Sequence, residues 1–142
     1  MYLLDTNIVS ELRKKERANP GVTCFFSELA QQDVQAYISV ITVGELRRGV
    51  ELIRHRGDLT QAGMLETWLH TLVEDYADNI LDFGTEEAQV WGRLRVPHDQ
   101  NALDKQIAAT ALTYGFTLVT RNVRDFAGTG VTLHNPFEQS DE

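Results

Sequence analysis

The sequence predicts an α/β fold: an αβα sandwich around a central, mostly parallel sheet of four to five strands, with a helical hairpin beside it. Three observations carry this expectation. Short apolar runs alternate along the chain with segments of helical periodicity, the pattern of strands joined by crossover helices. The runs are β-branched and apolar on both alternations, as in Tyr37-Ile38-Ser39-Val40-Ile41, which is required where helices cover both sheet faces. The chain has 142 residues, 42% of them hydrophobic, enough to bury a core as one domain spanning residues 1–142.

The first strand is the apolar run from Tyr2 that ends in Asp5, and Thr6-Asn7 leads into a helical segment through Arg13. Asp-Thr-Asn is also ordinary helix-start chemistry, with side-chain oxygens satisfying free backbone N–H groups. Asn19-Pro20 reads as an N-cap followed by proline at the first helical position, opening a helix to about Gln31 that buries Val22, Phe25, Phe26 and Leu29. The strand over residues 37–41 follows. Thr42 with Glu45 three residues on matches a capping box and starts a helix carrying Leu46, Val50 and Ile53. Gly57-Asp58 restarts a long helix through Leu59, Leu65, Trp68 and Leu72 to about Tyr76, and the two helices form the hairpin.

Asn79 to Phe83 is a short strand. Thr85 caps a helix with Ala88, Val90, Trp91 and Leu94, stopped before Pro97. After a polar loop over 97–101, a helix from about Ala102 to Tyr114 ends at Gly115, a left-handed C-cap position. Phe116 to Thr120 is the fourth strand, residues 121–126 are a turn, and Val131 to Leu133 is a weak last strand before Asn135-Pro136-Phe137 and an acidic tail. Crossovers between the parallel strands are expected to be right-handed.

Composition narrows the function. The formal net charge of −8 argues against a protein that grips nucleic acid by overall basicity. It leaves room for a nuclease whose acids gather around a cation, and it suits a basic partner. No apolar run approaches the ~20 residues of a membrane span, and the N-terminus lacks the basic-then-apolar pattern of a signal peptide. With one cysteine, Cys24, read as a core residue, the expected location is the reducing cytoplasm.

Four acids fall at strand ends or helix starts: Asp5 after the first strand, Glu45 past the second, Asp104 in the first turn of the 102–114 helix, and Asp125 after the fourth, with Asn122 between it and Thr120. Each has a structural alternative: a cap for Asp5, the capping box for Glu45, the helix dipole for Asp104, turn chemistry for Asn122 and Asp125. Topology nevertheless brings all four to one edge, because neighbouring strands lie ~4.8 Å apart. Two carboxylates ~4–5 Å apart repel by roughly 3–4 kcal/mol at an effective dielectric near 20, so convergence requires a cation or protonation. Oxygen-only candidates, without Cys or His, suit Mg²⁺ or Mn²⁺ rather than zinc, and one or two such ions could activate water against a phosphodiester.

Leu3-Leu4-Asp5-Thr6-Asn7, the run Ile41-Thr-Val-Gly-Glu-Leu-Arg-Arg-Gly49, Asp104 followed by Ile107-Ala-Ala-Thr-Ala111, and Leu118-Val-Thr-Arg-Asn-Val-Arg-Asp-Phe126 together resemble the PIN-domain nucleases. Within these, the chain is similar over nearly its full length to the VapC/FitB toxins of type II toxin–antitoxin pairs. The resemblance implies an Mg²⁺- or Mn²⁺-dependent endoribonuclease. Its acids would be Asp5, Glu45, Asp104 and one after the fourth strand, with Asp5 and Asp104 as the firmest metal ligands and Thr6, Asn7 and Thr120 as supporting polar groups. It also implies a homodimer and a small cognate antitoxin with a DNA-binding domain and an extended tail.

One position departs from the family. Some relatives carry an acid two residues after the fourth-strand threonine, where this chain has Asn122, and the nearest acid is Asp125 three residues on. Asn122 and Asp125 both stay open as the fourth ligand. Arg47 and Arg48, with Arg54 and Arg56 further along the helix, are candidates for RNA-phosphate contact or else a solvated face. Two other readings compete: a non-catalytic PIN-like module that uses its acidic groove for a protein partner, and a receiver-type domain built on Asp5, Asp82 and Thr120.

Overall fold

The computed structural model describes residues 1–138; the acidic tail beyond Glu138 lies outside them. Five strands run parallel in the order β3-β2-β1-β4-β5, with β1 (Tyr2–Leu4) at the centre, β2 (Ala36–Ser39) and β3 (Ile80–Leu81) on one side, β4 (Thr117–Val119) and β5 (Leu133–His134) on the other. Six helices join them: α1 (Thr6–Leu12), α2 (Pro20–Gln32), α3 (Val40–His55), α4 (Leu59–Asp75), α5 (Thr85–Leu94) and α6 (Ala102–Tyr114). Among the described residues no helix is long and apolar enough to cross a membrane.

Alternation along the strands divides the core in two. Leu4, Ile38 and Val119 turn to one face and meet Ile8, Val9, Phe25, Leu29, Leu46, Val50, Leu69 and Leu72 from α1 to α4. Leu3 and Leu118 turn to the other and meet Ile107, Ala108 and Ala111 of α6, with Phe126. The small α6 residues are fully buried, so this helix lies close against the sheet. Each fully buried leucine or isoleucine contributes about 2 kcal/mol of transfer free energy, which makes both faces substantial.

Helix starts follow the expected chemistry, with two shifts. Asn19 Oδ1 accepts from the N–H groups of Gly21 (2.8 Å) and Val22 (3.3 Å), and Gly115 takes the left-handed C-cap conformation at φ 71°. The helix expected from Thr42 instead starts at Val40, because Ser39 Oγ accepts from Ile41 N at 3.0 Å. Pairing of β2 with β3 stops at Ser39, opposite Leu81, so the β-branched run breaks into helix two residues before its composition does. Thr85 is the first residue of α5 rather than its cap; the buried Glu87 side chain accepts from Gly84 N at 3.1 Å. The last strand pairs at residues 133–134, not 131–133. Cys24 is half-buried with its thiol toward Glu28, not a core residue.

The α3–α4 hairpin forms as expected and is tied by ion pairs: Arg54 and Arg47 both reach Glu66 of α4. A second pairing, α5 against α6, was not evident from periodicity; Trp91 Nε1 donates to the carbonyl of Ala102 at 3.0 Å and holds the start of α6.

The N-terminus of α2 also closes on the C-terminal segment, where residues 136–138 make a 3₁₀ turn against it. A Cβ on Gly21 would stand 2.0 Å from the Pro136 carbonyl oxygen, which only glycine permits. Gly21→Ala is therefore expected to lose about 1–3 kcal/mol through overpacking, read as a lower urea midpoint at unchanged slope.

Candidate active site

The parallel register places the residues after three adjacent strands side by side. Leu4 pairs with Ile38 and with Val119, so Asp5, Ser39 and Thr120 stand at the same level of the carboxyl edge. Ligands of open α/β sheets bind at this edge. Asp5 N also continues the ladder by donating to Val119 O at 2.9 Å.

Asp5 is both cap and cluster centre. Its Oδ1 accepts from Thr6 N (2.8 Å) at the start of α1, and its Oδ2 accepts from Thr120 Oγ1 (2.8 Å) and Asn7 Nδ2 (3.2 Å). The side chain is buried at 4% exposure, which raises its pKa; these hydrogen bonds pull it down and the charge of Asp125 pushes it up. Thr6 lies in the same arrangement. Its hydroxyl donates to Glu45 Oε1 at 2.9 Å and sits 3.2 Å from the buried Thr42 hydroxyl. Thr42 thus faces the site and is not the partner of Glu45 in a capping box, a consequence of α3 starting at Val40.

Glu45 is raised by burial first and by the Asp5 charge, against the Thr6 hydrogen bond. Asp104, in the first turn of α6, is pushed up to about 6 by burial and then by the charges of Asp5, Asp125 and Glu45. The four predicted acids therefore form one electrostatic cluster, and the charges acting on Asp5, Glu45 and Asp104 are acids alone. Asn7 braces the cluster on a second side, since its Oδ1 accepts from Arg121 N at 3.1 Å.

Of the two candidates for the fourth position, Asp125 is the one whose charge reaches Asp5 and Asp104. Both are exposed; Asn122 gives its backbone N–H to Thr120 Oγ1 at 3.0 Å and its carbonyl accepts from Asp125 N at 3.1 Å. Arg47 is committed to Glu51 (3.4 Å) and Glu66 (3.5 Å). Arg48 is exposed and shares a cleft with Glu45, Val40, Ile41 and Leu103. Asp82, needed by the receiver-type reading, is an exposed residue after the edge strand β3, two strands from Asp5. Ser39 and Thr42 escaped the sequence reading because Thr42 with Glu45 offered the stronger-looking cap.

The donor set is carboxylate, hydroxyl and amide oxygen, which is hard-cation chemistry. Among the described residues no three acidic, histidine or cysteine side chains are drawn into one closed ligand shell.

The raised Asp104 pKa has a consequence for stability. Its folded value of about 6 exceeds the ordinary 3.8, so the native state holds a proton that the unfolded chain releases. That stabilisation is complete below pH ~4 and lost as pH rises through about 6. Asp104→Asn is expected to stabilise the protein at pH 7.5 by about 1 kcal/mol, discounted for the half-exposed carboxyl, and to change nothing near pH 4. Urea unfolding in EDTA at the two pH values reads this.

Comparison with known proteins places this geometry. The PIN domain profile matches residues 2–130. The chain is similar to Toxin FitB of Neisseria gonorrhoeae (33% identity, covering 96% of this chain and 99% of FitB) and to the VapC ribonuclease Y4jK of Sinorhizobium fredii (30%, covering 97% and 99%). In three dimensions it is similar to a chain in the structure of FitAB bound to an IR36 DNA fragment, with a TM-score of 0.82, 30% identity and 99% coverage of each chain. A match over nearly the whole sequence, on the same fold, is a statement of descent: this chain belongs to the PIN-domain family.

Proposed function

We propose that the chain is an Mg²⁺- or Mn²⁺-dependent endoribonuclease that hydrolyses RNA phosphodiester bonds as the toxin of a type II toxin–antitoxin pair. The observation that carries this reading is the convergence of Asp5, Glu45, Asp104 and Asp125 into one set of mutually repelling acids at the carboxyl edge. Such an arrangement is costly without a cation and useful with one. The full-length likeness to a VapC ribonuclease supports RNA as the substrate.

Asp5 and Asp104 would hold the metal, with Glu45 and Asp125 completing the ring and Asn122 at its exposed margin. Bound there, one or two ions supply a nucleophile at neutral pH and charge stabilisation at the phosphorus. The protein's own part is positioning. Thr120 and Asn7 occupy both acceptor positions of Asp5 Oδ2 and Thr6 N one of Oδ1, which leaves one Oδ1 position in a set direction for the ion. Thr6 holds Glu45 Oε1, and the burial of α6 against the sheet fixes Asp104. Hydroxyl and amide partners of this kind orient ligands and set their basicity.

Likeness to Toxin FitB, and to the DNA-bound FitAB assembly, supports a small antitoxin with a DNA-binding domain, whose extended basic tail enters the acidic groove. The net charge of −8 favours such a tail. The homodimer belongs to the same reading, and RNA as substrate with a single cysteine suits the cytoplasm.

The test uses purified protein, stripped of any co-purified antitoxin, on RNA with Mg²⁺ and with EDTA. Cleavage is expected with Mg²⁺ and lost in EDTA. Asp5→Asn is expected to lower the rate more than 100-fold and Thr120→Val about 10- to 100-fold, the range for a partner of a metal ligand. Cleavage that survives EDTA or Asp5→Asn would falsify the metal mechanism. A wild type inert on every RNA tried selects the non-catalytic binding module.

A further inference from the structure

We propose that Arg121, held over the ring of Phe137, is a phosphate-binding residue for the RNA strand at the flank of the acid cluster opposite Arg48. This rests on reading the cluster as a ribonuclease site and adds to it the group that receives the substrate backbone.

A chain of net charge −8 that gathers four acids must still bind a polyanion. The charges acting on Asp5, Glu45 and Asp104 are acids, so the phosphates next to the cleaved one need cations from the rim. Arg47 and Arg54 are engaged with glutamates, and Arg95, at the C-cap of α5, lies over Trp91 and toward Asp99. Arg121 stands out by its place in the site framework. It follows Thr120 directly, is exposed, and has no acid within ion-pair distance among the described residues.

Both ends of its backbone are pinned to the site framework. Its N–H donates to Asn7 Oδ1 (3.1 Å), whose amide in turn donates to Asp5, and its carbonyl accepts from Asn135 Nδ2 (3.4 Å). The guanidinium carbon lies 4.8 Å from the Phe137 ring centroid. Phe137 is itself packed against the main core, and Asn135 Oδ1 accepts from its N–H at 3.0 Å. The cation–π contact uses none of the guanidinium N–H groups, and among the described residues the Arg121 side chain makes no hydrogen bond or ion pair, which leaves its N–H fork for a phosphate to accept from bidentately. A side chain already ordered on a ring also loses less freedom when it binds.

Arg48 lies within α3, the helix after β2, in the cleft that includes Glu45, and Arg121 follows β4; β2 and β4 are the two neighbours of β1. Asp5 is between them, so a single strand crossing the edge meets cation, acids, cation in turn. RNA phosphate is favoured over a protein carboxylate because the repeating backbone presents a charge to the flank and to the centre together.

The experiment measures binding apart from cleavage. A fluorescein-labelled single-stranded oligoribonucleotide is titrated with Asp5→Asn protein in Mg²⁺ at several KCl concentrations, and again with Arg121→Ala or Arg121→Lys added. Arg121→Ala is expected to weaken binding about tenfold and to lower the slope of log Kd against log salt by about 0.7, the value of one phosphate on a single strand. Arg121→Lys should keep the slope and lose part of the affinity, because the stacked fork is gone. An unchanged Kd and slope in Arg121→Ala, with an unchanged unfolding midpoint, overturns the assignment. The two readings fail separately. A slope loss in a protein that never cleaves RNA sinks the nuclease and keeps Arg121 as the phosphate group. Cleavage by wild type with an unaltered slope in Arg121→Ala does the reverse.

Discussion

A carboxylate buried at the end of a central parallel strand is the constraint from which the rest of this structure follows. Asp5 cannot be desolvated without partners, and it takes them from three places: the next backbone N–H, an asparagine in the first turn of α1, and a threonine 115 residues away. The last of these exists because β1 and β4 pair in one register. A slip of one residue between them would put Leu3 and Leu118 on opposite faces and leave Thr120 out of reach. Burial of the leucines and placement of the acid are thus enforced by the same pairing.

The same logic governs the charges. The acids are gathered where the sheet edge concentrates them, while the basic residues of α3 are spent largely on the hairpin. Arg47 and Arg54 hold α4 through Glu66. Exposed pairs of this kind contribute little each, so their role is orientation of the hairpin more than its stability.

Much of this was legible in the sequence. Fold class, strand order in the chain, the Asn19 and Gly115 caps and the four acids at one edge all followed from apolar patterning and from residues whose chemistry suits strand ends. Helix and strand limits were harder wherever two caps competed. Ser39 and Thr42 both qualify, and tertiary pairing with a two-residue edge strand chose Ser39. The α5–α6 pairing was invisible because the apolar pattern of each helix says that a face is buried but not which neighbour covers it. Asn122 against Asp125 could not be separated by spacing, since reach depends on how the 3₁₀ turn at 123–126 swings its acid back toward α6. Arg121 went unnoticed because its meaning depends on Phe137, sixteen positions on and on another strand's exit.

The two-sided core has a consequence for when the site comes into being. Glu45 arrives on a helix of the first face and Asp104 on a helix of the second, with Asp5 on the strand between them. A partly folded chain with α1 to α4 docked would own half the acids and none of the α6 contribution, and the threonine that orients Asp5 is made later still. The cluster is therefore a coincidence of two independent packings, complete only after nearly the whole chain has been synthesised and folded. A protein built this way carries its own safeguard against premature chemistry, because its acids can act in concert only in the finished fold.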